Sequence, residues 1–414
     1  MTTPPLAPPD DDWRECPHCG LFSRLPHIHP GMVAECPRCD HTLWRMRRAT
    51  LNFPLACSLA AGLFYLFALI APMLEVDAYG RFSLARIETG PLRLVEAGWG
   101  LVGALVFAVT LVLPGLKLAI MLTTLLGLKF HLPKSWLRGI FRYYAPITPW
   151  AMIDVYLLGF LVAYTRLAGM FSVRLDTALY ALIGLMLAMA AADAGLDQEI
   201  VWRALDQPDK TAPAAPAGGL ISCDACGQVS NGETGDLCRR CDAPLFARKP
   251  ASISRAWAYT IAAGCLYIPA NLYPFMDLTS LAHTQSYTIM GGIVELADVG
   301  LWPLAALVLF ASIAIPLLKL LGMAYMLLAT QCCSGHLLHG RTKAYRIIDF
   351  IGRWSMIDVF MVSILIALVH FGQFANVRAN VGAICFAAVV VLTMFAVNAF
   401  DPRLMWDNDQ EPEA

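Results

Sequence analysis

The sequence reads as an all-α polytopic membrane protein made of two repeated four-helix transmembrane modules, eight spans in total. Three observations carry that reading: an apolar composition, apolar runs long enough to cross a bilayer, and a repeat whose polar residues keep step over half the chain. Of 414 residues, 58% are hydrophobic and 15% charged, and the mean hydropathy is +0.58. A soluble enzyme of this size is far more polar, so composition excludes that class. The net charge of −1 gives no basis for nucleic-acid binding, and only the placement of basic residues along the chain is informative.

The chain begins MTTPPLAPPDDD, without the basic and apolar regions of a cleavable signal, so its start is expected in the cytoplasm. The first unit, 13–44, carries Cys16, Cys19, Cys36 and Cys39 in the pattern CPHCG and CPRCD, with 16 residues between Cys19 and Cys36. After a linker at 203–222, the unit 223–246 repeats the plan with Cys223, Cys226, Cys238 and Cys241, and 11 residues between its pairs. A CxxC turn can present two thiolates to one ion at about 2.3 Å, and two such turns close a tetrahedral shell. Gly20 and Gly227 suit the tight backbone after the second ligand. We therefore expect two small structural zinc ribbons with no open coordination position, with iron in a rubredoxin-like site or redox use as the alternatives. His18, His27, His29 and His41 lie near the first set and are read as surface histidines.

Each cysteine unit precedes a membrane module, 51–202 and 252–406. A span needs roughly 20 apolar residues, and such runs fall at about 51–73, 96–128, 146–167, 173–194, 253–275, 294–330, 350–371 and 377–399. The halves are copies. PMLE at 72–75 answers PFMD at 274–277, and LPGLKL at 113–118 answers IPLLKL at 315–320, both shifted by 202. Trp150, Asp154 and Trp202 answer Trp354, Asp358 and Trp406, shifted by 204. An even number of spans per half gives both copies the same orientation, a parallel repeat. The termini, the 129–145 and 329–353 loops and the 198–256 connector carry 22 Lys and Arg, against six arginines on the other side: Arg81, Arg86, Arg93, Arg166, Arg174 and Arg378. The positive-inside bias then makes both termini and both cysteine units cytoplasmic. On the opposite side, 75–87 and 278–290 show partial alternation and are read as small β elements.

Lys117, Asp154, Lys319 and Asp358 interrupt this apolar background. Four unpaired charges at roughly 3 kcal/mol each would cost on the order of 12 kcal/mol. Pairing within each half, Lys117 with Asp154 and Lys319 with Asp358, removes most of that, and Ser312 and Thr393 can join the second network. The pairs serve either as a structural polar clamp or as the lining of a cavity or proton-responsive relay. Pro114 and Pro316, three residues ahead of each lysine, open a local backbone hydrogen bond.

Paired CxxC units, each followed by four spans bearing LPxxKL or IPxxKL and then WxMIDV[YF], resemble the paraquat-inducible protein A family over residues 13–406. The resemblance implies a Gram-negative inner-membrane protein that works with periplasmic MCE-domain tunnel proteins in moving lipid between membranes. It also implies that Lys319 and Asp358 are a functional polar network, with Lys117 and Asp154 as their repeat counterparts. The chain is read as a non-enzyme, and no Walker A motif occurs in it. The rival readings are a membrane anchor or scaffold for the tunnel, a membrane thiol oxidoreductase, and a small-molecule efflux pump.

Overall fold

The computed structural model describes residues 13–25, 31–45, 51–78, 81–168, 172–206, 220–280, 283–300, 302–332, 337–368 and 375–407. His27, His29 and linker residues 207–219 lie outside them. The first cysteine unit contains hairpins β1 (Trp13–Glu15) with β2 (Phe22–Arg24) and β3 (Val33–Glu35) with β4 (Thr42–Arg45). The first half then runs α1 (Asn52–Ile70), β5 (Leu74–Ala78), β6 (Arg81–Ala85), α2 (Thr89–Glu96), α3 (Gly100–Phe107), a π-helical turn Ala108–Val112, and α4 (Leu113–Lys129). It continues through α5 (Lys134–Phe141), α6 (Tyr144–Ile147), a 3₁₀ turn Thr148–Trp150, α7 (Ile153–Ala168), β7 (Ser172–Leu175), α8 (Thr177–Gly195) and α9 (Gln198–Leu205). The second cysteine unit holds β8 (Leu220–Ser222) and β9 (Val229–Asn231).

The second half repeats the first in order: α10 (Ser252–Leu272), β10 (Met276–Ser280), β11 (His283–Tyr287), α11 (Ile289–Asp298), α12 (Trp302–Leu309), a π turn Phe310–Ala314, and α13 (Ile315–Gln331). Then come α14 (Leu338–Gly352), a 3₁₀ turn Arg353–Met356, α15 (Ile357–Leu368), β12 (Ala375–Ala379), α16 (Val381–Ala399) and α17 (Leu404–Asp407).

Among the described residues, six helical stretches are long and apolar enough to cross a membrane: Asn52–Ile70, Gly100–Lys129, Lys134–Thr165, Thr177–Gly195, Ala305–Gln331 and Val381–Asp407. α10, the mate of α1, is more polar because Ser252, Arg255, Thr260 and Asn271 dilute it, and α15, the mate of α7, is described over 12 residues. Outward faces carry large apolar side chains: Leu63, Ile70, Leu101 and Leu272 are 71 to 83% exposed. A lipid-facing surface has this character.

Small residues bring the helices close. Ala61 and Ala68 of α1 pack toward α8, and their mates Ala263 and Ala270 of α10 toward α16, all at most 1% exposed. Such alanines at heptad spacing let backbones approach without side chains between them. The halves meet where α15 lies on α7 and α2. A Cβ at Gly90 would stand 2.6 Å from Ser363 Oγ, so that contact requires glycine, and one at Gly159 would stand a tight 3.0 Å from the Ile357 carbonyl oxygen.

The chain is mostly helical, but not all-α. β6-β5-β7 and β11-β10-β12 form two three-stranded antiparallel sheets. The alternating segments supply the hairpins; the third strands, only four or five residues each, lie in loops that carry no alternation signal of their own. Each sheet ties the loop after its half's first span to the loop before its last. Glu75 faces Arg174 in one register and Asp277 faces Arg378 in the other.

Candidate metal centres and polar network

Each CxxC loop closes in the same way. Gly20 N donates to Cys16 O, Asp40 N to Cys36 O, Gly227 N to Cys223 O and Asp242 N to Cys238 O, at 2.8–3.0 Å. The residue after each second cysteine has positive φ: 72° and 71° at Gly20 and Gly227, 54° and 57° at Asp40 and Asp242. Glycine meets this at no steric cost, and Asp tolerates it better than most residues. Within each set the four sulfurs lie within 4.8 Å of one another, with closest pairs at 3.5–3.6 Å. A tetrahedral shell with bonds of about 2.3 Å has edges of about 3.8 Å. The two sets therefore fit a metal ion, and every cysteine in them is at most 5% exposed.

The cysteine units are exchanged between the halves. Cys16, Cys19, Cys36 and Cys39 pack with Ala256, Met323, Leu327, Tyr345, Phe400 and Trp406 of the second half. Cys223, Cys226, Cys238 and Cys241 pack with Leu55, Ile120, Leu137, Phe141 and Trp202 of the first. Repeat-equivalent arginines hold each unit: Arg346 donates to Cys39 O at 2.8 Å and contacts its Sγ at 3.3 Å, while Arg142 donates to Asp242 O at 3.5 Å. Arg138 adds a bond to Arg240 O at 3.2 Å.

His18 and His41 are half-buried in the first interface, ring centroids 4.2 Å apart, with Tyr345 6.0 Å from His18. Burial, reinforced by His41 and Arg346, pushes His18 down to about 3. These two are docking residues, not surface ones, because α14 covers them.

Carboxylates lock the exchange. Glu199 of α9, 6% exposed, pairs with Arg14 of the first cysteine unit, Arg203 of its own helix at 2.9 Å and Arg240 of the second unit at 3.5 Å. Burial alone would raise its carboxyl, but Arg14, Arg240 and Arg203 outweigh it and hold the group below 4.5. Glu15 meets Arg248 and Arg403 at 3.2 Å each.

In the membrane region, the π turns directly precede Pro114 and Pro316. Proline lacks the donor an α-helix needs at that point, and a π turn is one way of accommodating the defect. Tyr65 of α1 donates to the Leu111 carbonyl at 2.7 Å, and its mate Tyr267 to the Ile313 carbonyl at 3.2 Å.

The lysines do not take the expected partners in the first half. Lys117, 4% exposed, pairs with Asp193 of α8 at 2.6 Å, and Tyr144 donates to the other oxygen of Asp193 at 2.7 Å. Asp154 is exposed and makes no ion pair with Lys117. The physical reason is a helix break: the 3₁₀ turn ends at Trp150 and α7 begins at Ile153, so Asp154 sits in the first turn and not two turns inside. A carboxylate there is favoured by the helix dipole. Asp358 occupies the same position in α15, and its side chain lies outside the described residues.

Lys319, 2% exposed, donates to Thr393 Oγ1 at 2.9 Å and approaches the Gly352 carbonyl at 3.5 Å. Ser312 lies buried in the second π turn, and among the described residues its hydroxyl has no hydrogen-bond partner. Lys319 faces a cavity of about 190 Å³ that also touches Asp349, Asn398 and, from the first half, Thr148 and Pro149. Sequence reasoning missed Asp193, Tyr144 and Asp349. Asp193 was visible as an acid near the end of the apolar run of the fourth span, with 16 residues between it and the last preceding charge, Asp176.

Residues 51–206 and 253–410 match the family described as Paraquat-inducible protein A. The chain belongs to this family. Its two matched stretches coincide with the two structural halves, and the cysteine units precede them. The chain is 29% identical over 410 residues to the Escherichia coli K12 protein named intermembrane transport protein PqiA, covering 96% of each. It is 28% identical to the Escherichia coli K12 lipophilic envelope-spanning tunnel protein A, covering 98% of this chain and 94% of that one. To a Haemophilus influenzae probable intermembrane transport protein it is 25% identical, over 98% and 97%. No solved structure matches the chain.

Proposed function

We propose that the chain is a Gram-negative inner-membrane component of an intermembrane lipid transport system, passing phospholipid or a similar amphiphile to or from a periplasmic MCE-domain tunnel protein. Relatives named as intermembrane transport proteins support the general activity. The observation that carries the site is Lys319, buried against Thr393 on a cavity that both halves line. An intramembrane cation facing a hollow at a junction is the arrangement expected of a moving part. Lys319, Thr393, Ser312 and Asp358 form the working network in this reading, and the chain itself catalyses no covalent chemistry.

In the same reading α10 and α15 complete eight spans, with zinc ribbons 13–44 and 223–246 on the cytoplasmic side and the three-stranded sheets facing the periplasmic partner. Zinc in the two cysteine sets fastens each ribbon to the opposite half. The cysteines would hold the ion, and the arginines above would orient their loops. For the first half, the close Lys117–Asp193–Tyr144 contacts favour a structural clamp.

Purification in lipid nanodiscs followed by mass spectrometry and metal analysis tests the proposal. Bound phospholipid, a co-purifying MCE protein and about two zinc ions per chain are expected. Absence of lipid with the partner still bound would favour the scaffold. Metal-free, reactive thiols would favour the oxidoreductase.

A further inference from the structure

The internal repeat gives the cavity beside Lys319 a counterpart in the first half. Lys117 corresponds to Lys319 with a shift of 202, while Tyr144 and Asp193 correspond to Ile348 and Val397 with the shift of 204 that relates Trp150 to Trp354 and Trp202 to Trp406. In the first half these three positions form a filled cluster, amine to carboxylate at 2.6 Å and phenol to carboxylate at 2.7 Å. In the second half all three line the cavity of about 190 Å³. The hollow therefore occupies the place where the first half puts a phenol and a carboxylate, removed here by two aliphatic side chains.

An ammonium has three donors. Among the described residues, Thr393 Oγ1 and the Gly352 carbonyl accept two of those on Lys319. A buried amine without compensation is costly, by several kcal/mol. A cavity holds water when it is roomy and offers two to four polar partners. This one is roomy, and the residues that line it include Lys319, Asp349 and Asn398. Asp349 is exposed and its charge acts on Lys319, so it stands at the open end with the amine at the closed end. Thr148 and Pro149 of the first half complete the wall.

We propose that this cavity is a water-binding site that links Lys319 to Asp349 and occupies, in the second half, the place where the first half sets Asp193 against Lys117. The two halves then have different roles by construction. The first carries a fixed, direct amine–carboxylate pair; the second carries a cation beside a water-filled hollow, at a junction that relative movement of the halves can open or shut. The inference deepens the Lys319-centred reading of function and rests on it for its purpose, but not for its test.

The test compares Val397→Cys with Val390→Cys in the full chain in membrane vesicles. Both valines are at most 3% exposed and lie two turns apart on α16, and only Val397 lines the cavity. Modification by the membrane-impermeant reagent methanethiosulfonate ethylsulfonate is followed by peptide mass, which separates it from that of the native cysteines. Val397→Cys is expected to react at least tenfold faster; equal rates overturn the proposal. A second variant, Val397→Asp, restores the chemistry of the first half and is expected to melt at or above the parent temperature. A drop of more than about 5 °C would show a dry pocket that cannot accept a carboxylate and would also overturn it. Fast labelling in a chain that moves no lipid would leave the water site standing and remove only the transport reading.

Discussion

Glu199→Ala and Glu199→Gln probe the exchange of the cysteine units most sharply. Glu199 is 6% exposed, and the arginines it holds, Arg14, Arg203 and Arg240, are 16, 11 and 9% exposed. Removing one member of a buried pair costs roughly 3–5 kcal/mol because the survivor keeps its desolvation penalty. Here three guanidiniums lose one acceptor, so alanine belongs near about 5 kcal/mol. Glutamine, which keeps the shape and one oxygen, belongs near about 3 kcal/mol. At 1.36 kcal/mol per tenfold, the open population rises from about a hundredfold to a few thousandfold. Amide hydrogen exchange should place the gain in α9, α5 and both cysteine units, the segments these arginines join, and leave α13 and α16 protected. A gain under tenfold, or one spread evenly over both halves, would refute the reasoning.

Other expectations concern the same contacts. Glu199 is depressed below 4.5 in the folded chain, so its contribution is in place above that pH and is lost as pH falls through the folded value. The melting temperatures of the parent and Glu199→Gln should therefore converge as pH falls through that depressed value; a gap constant with pH would contradict this. Cys39→Ser should deprotect α14 and α17 of the second half, and Cys241→Ser should deprotect α5 and α9 of the first, read by hydrogen exchange after metal loss. Loosening confined to the half that follows each cysteine unit in the chain would contradict the exchange. Tyr65→Phe and Tyr267→Phe each remove the hydroxyl that serves a carbonyl of a π turn and should lower stability by about 1–3 kcal/mol, measured by denaturant unfolding.

Much of this was legible in the sequence. The repeat was visible because Pro, Lys, Trp and Asp keep their spacing between halves, and the cysteine sets because ligand chemistry demands CxxC turns. The sheets were visible only where strands alternate. What was not legible depends on which distant surfaces meet. Nothing local to CPHCG or CRRCD says that each unit docks on the opposite half; that choice comes from Arg346, Arg142 and the apolar faces of α14 and α5. Asp154 drew attention because it recurs as Asp358, whereas the actual partner of Lys117 is Asp193, whose mate Val397 breaks the repeat. Repetition marked the framework, and its failure marked the place where the halves differ in chemistry.

That difference is tested most directly by survival in detergent of Gram-negative cells that carry this chain, which the proposed function makes dependent on it. Lys319→Met, which keeps the volume and removes the charge, is predicted to fall to the level of cells lacking the chain, while Lys117→Met combined with Asp193→Val keeps more than half of parent survival. Full survival with Lys319→Met would contradict the assignment of the working site to the second half.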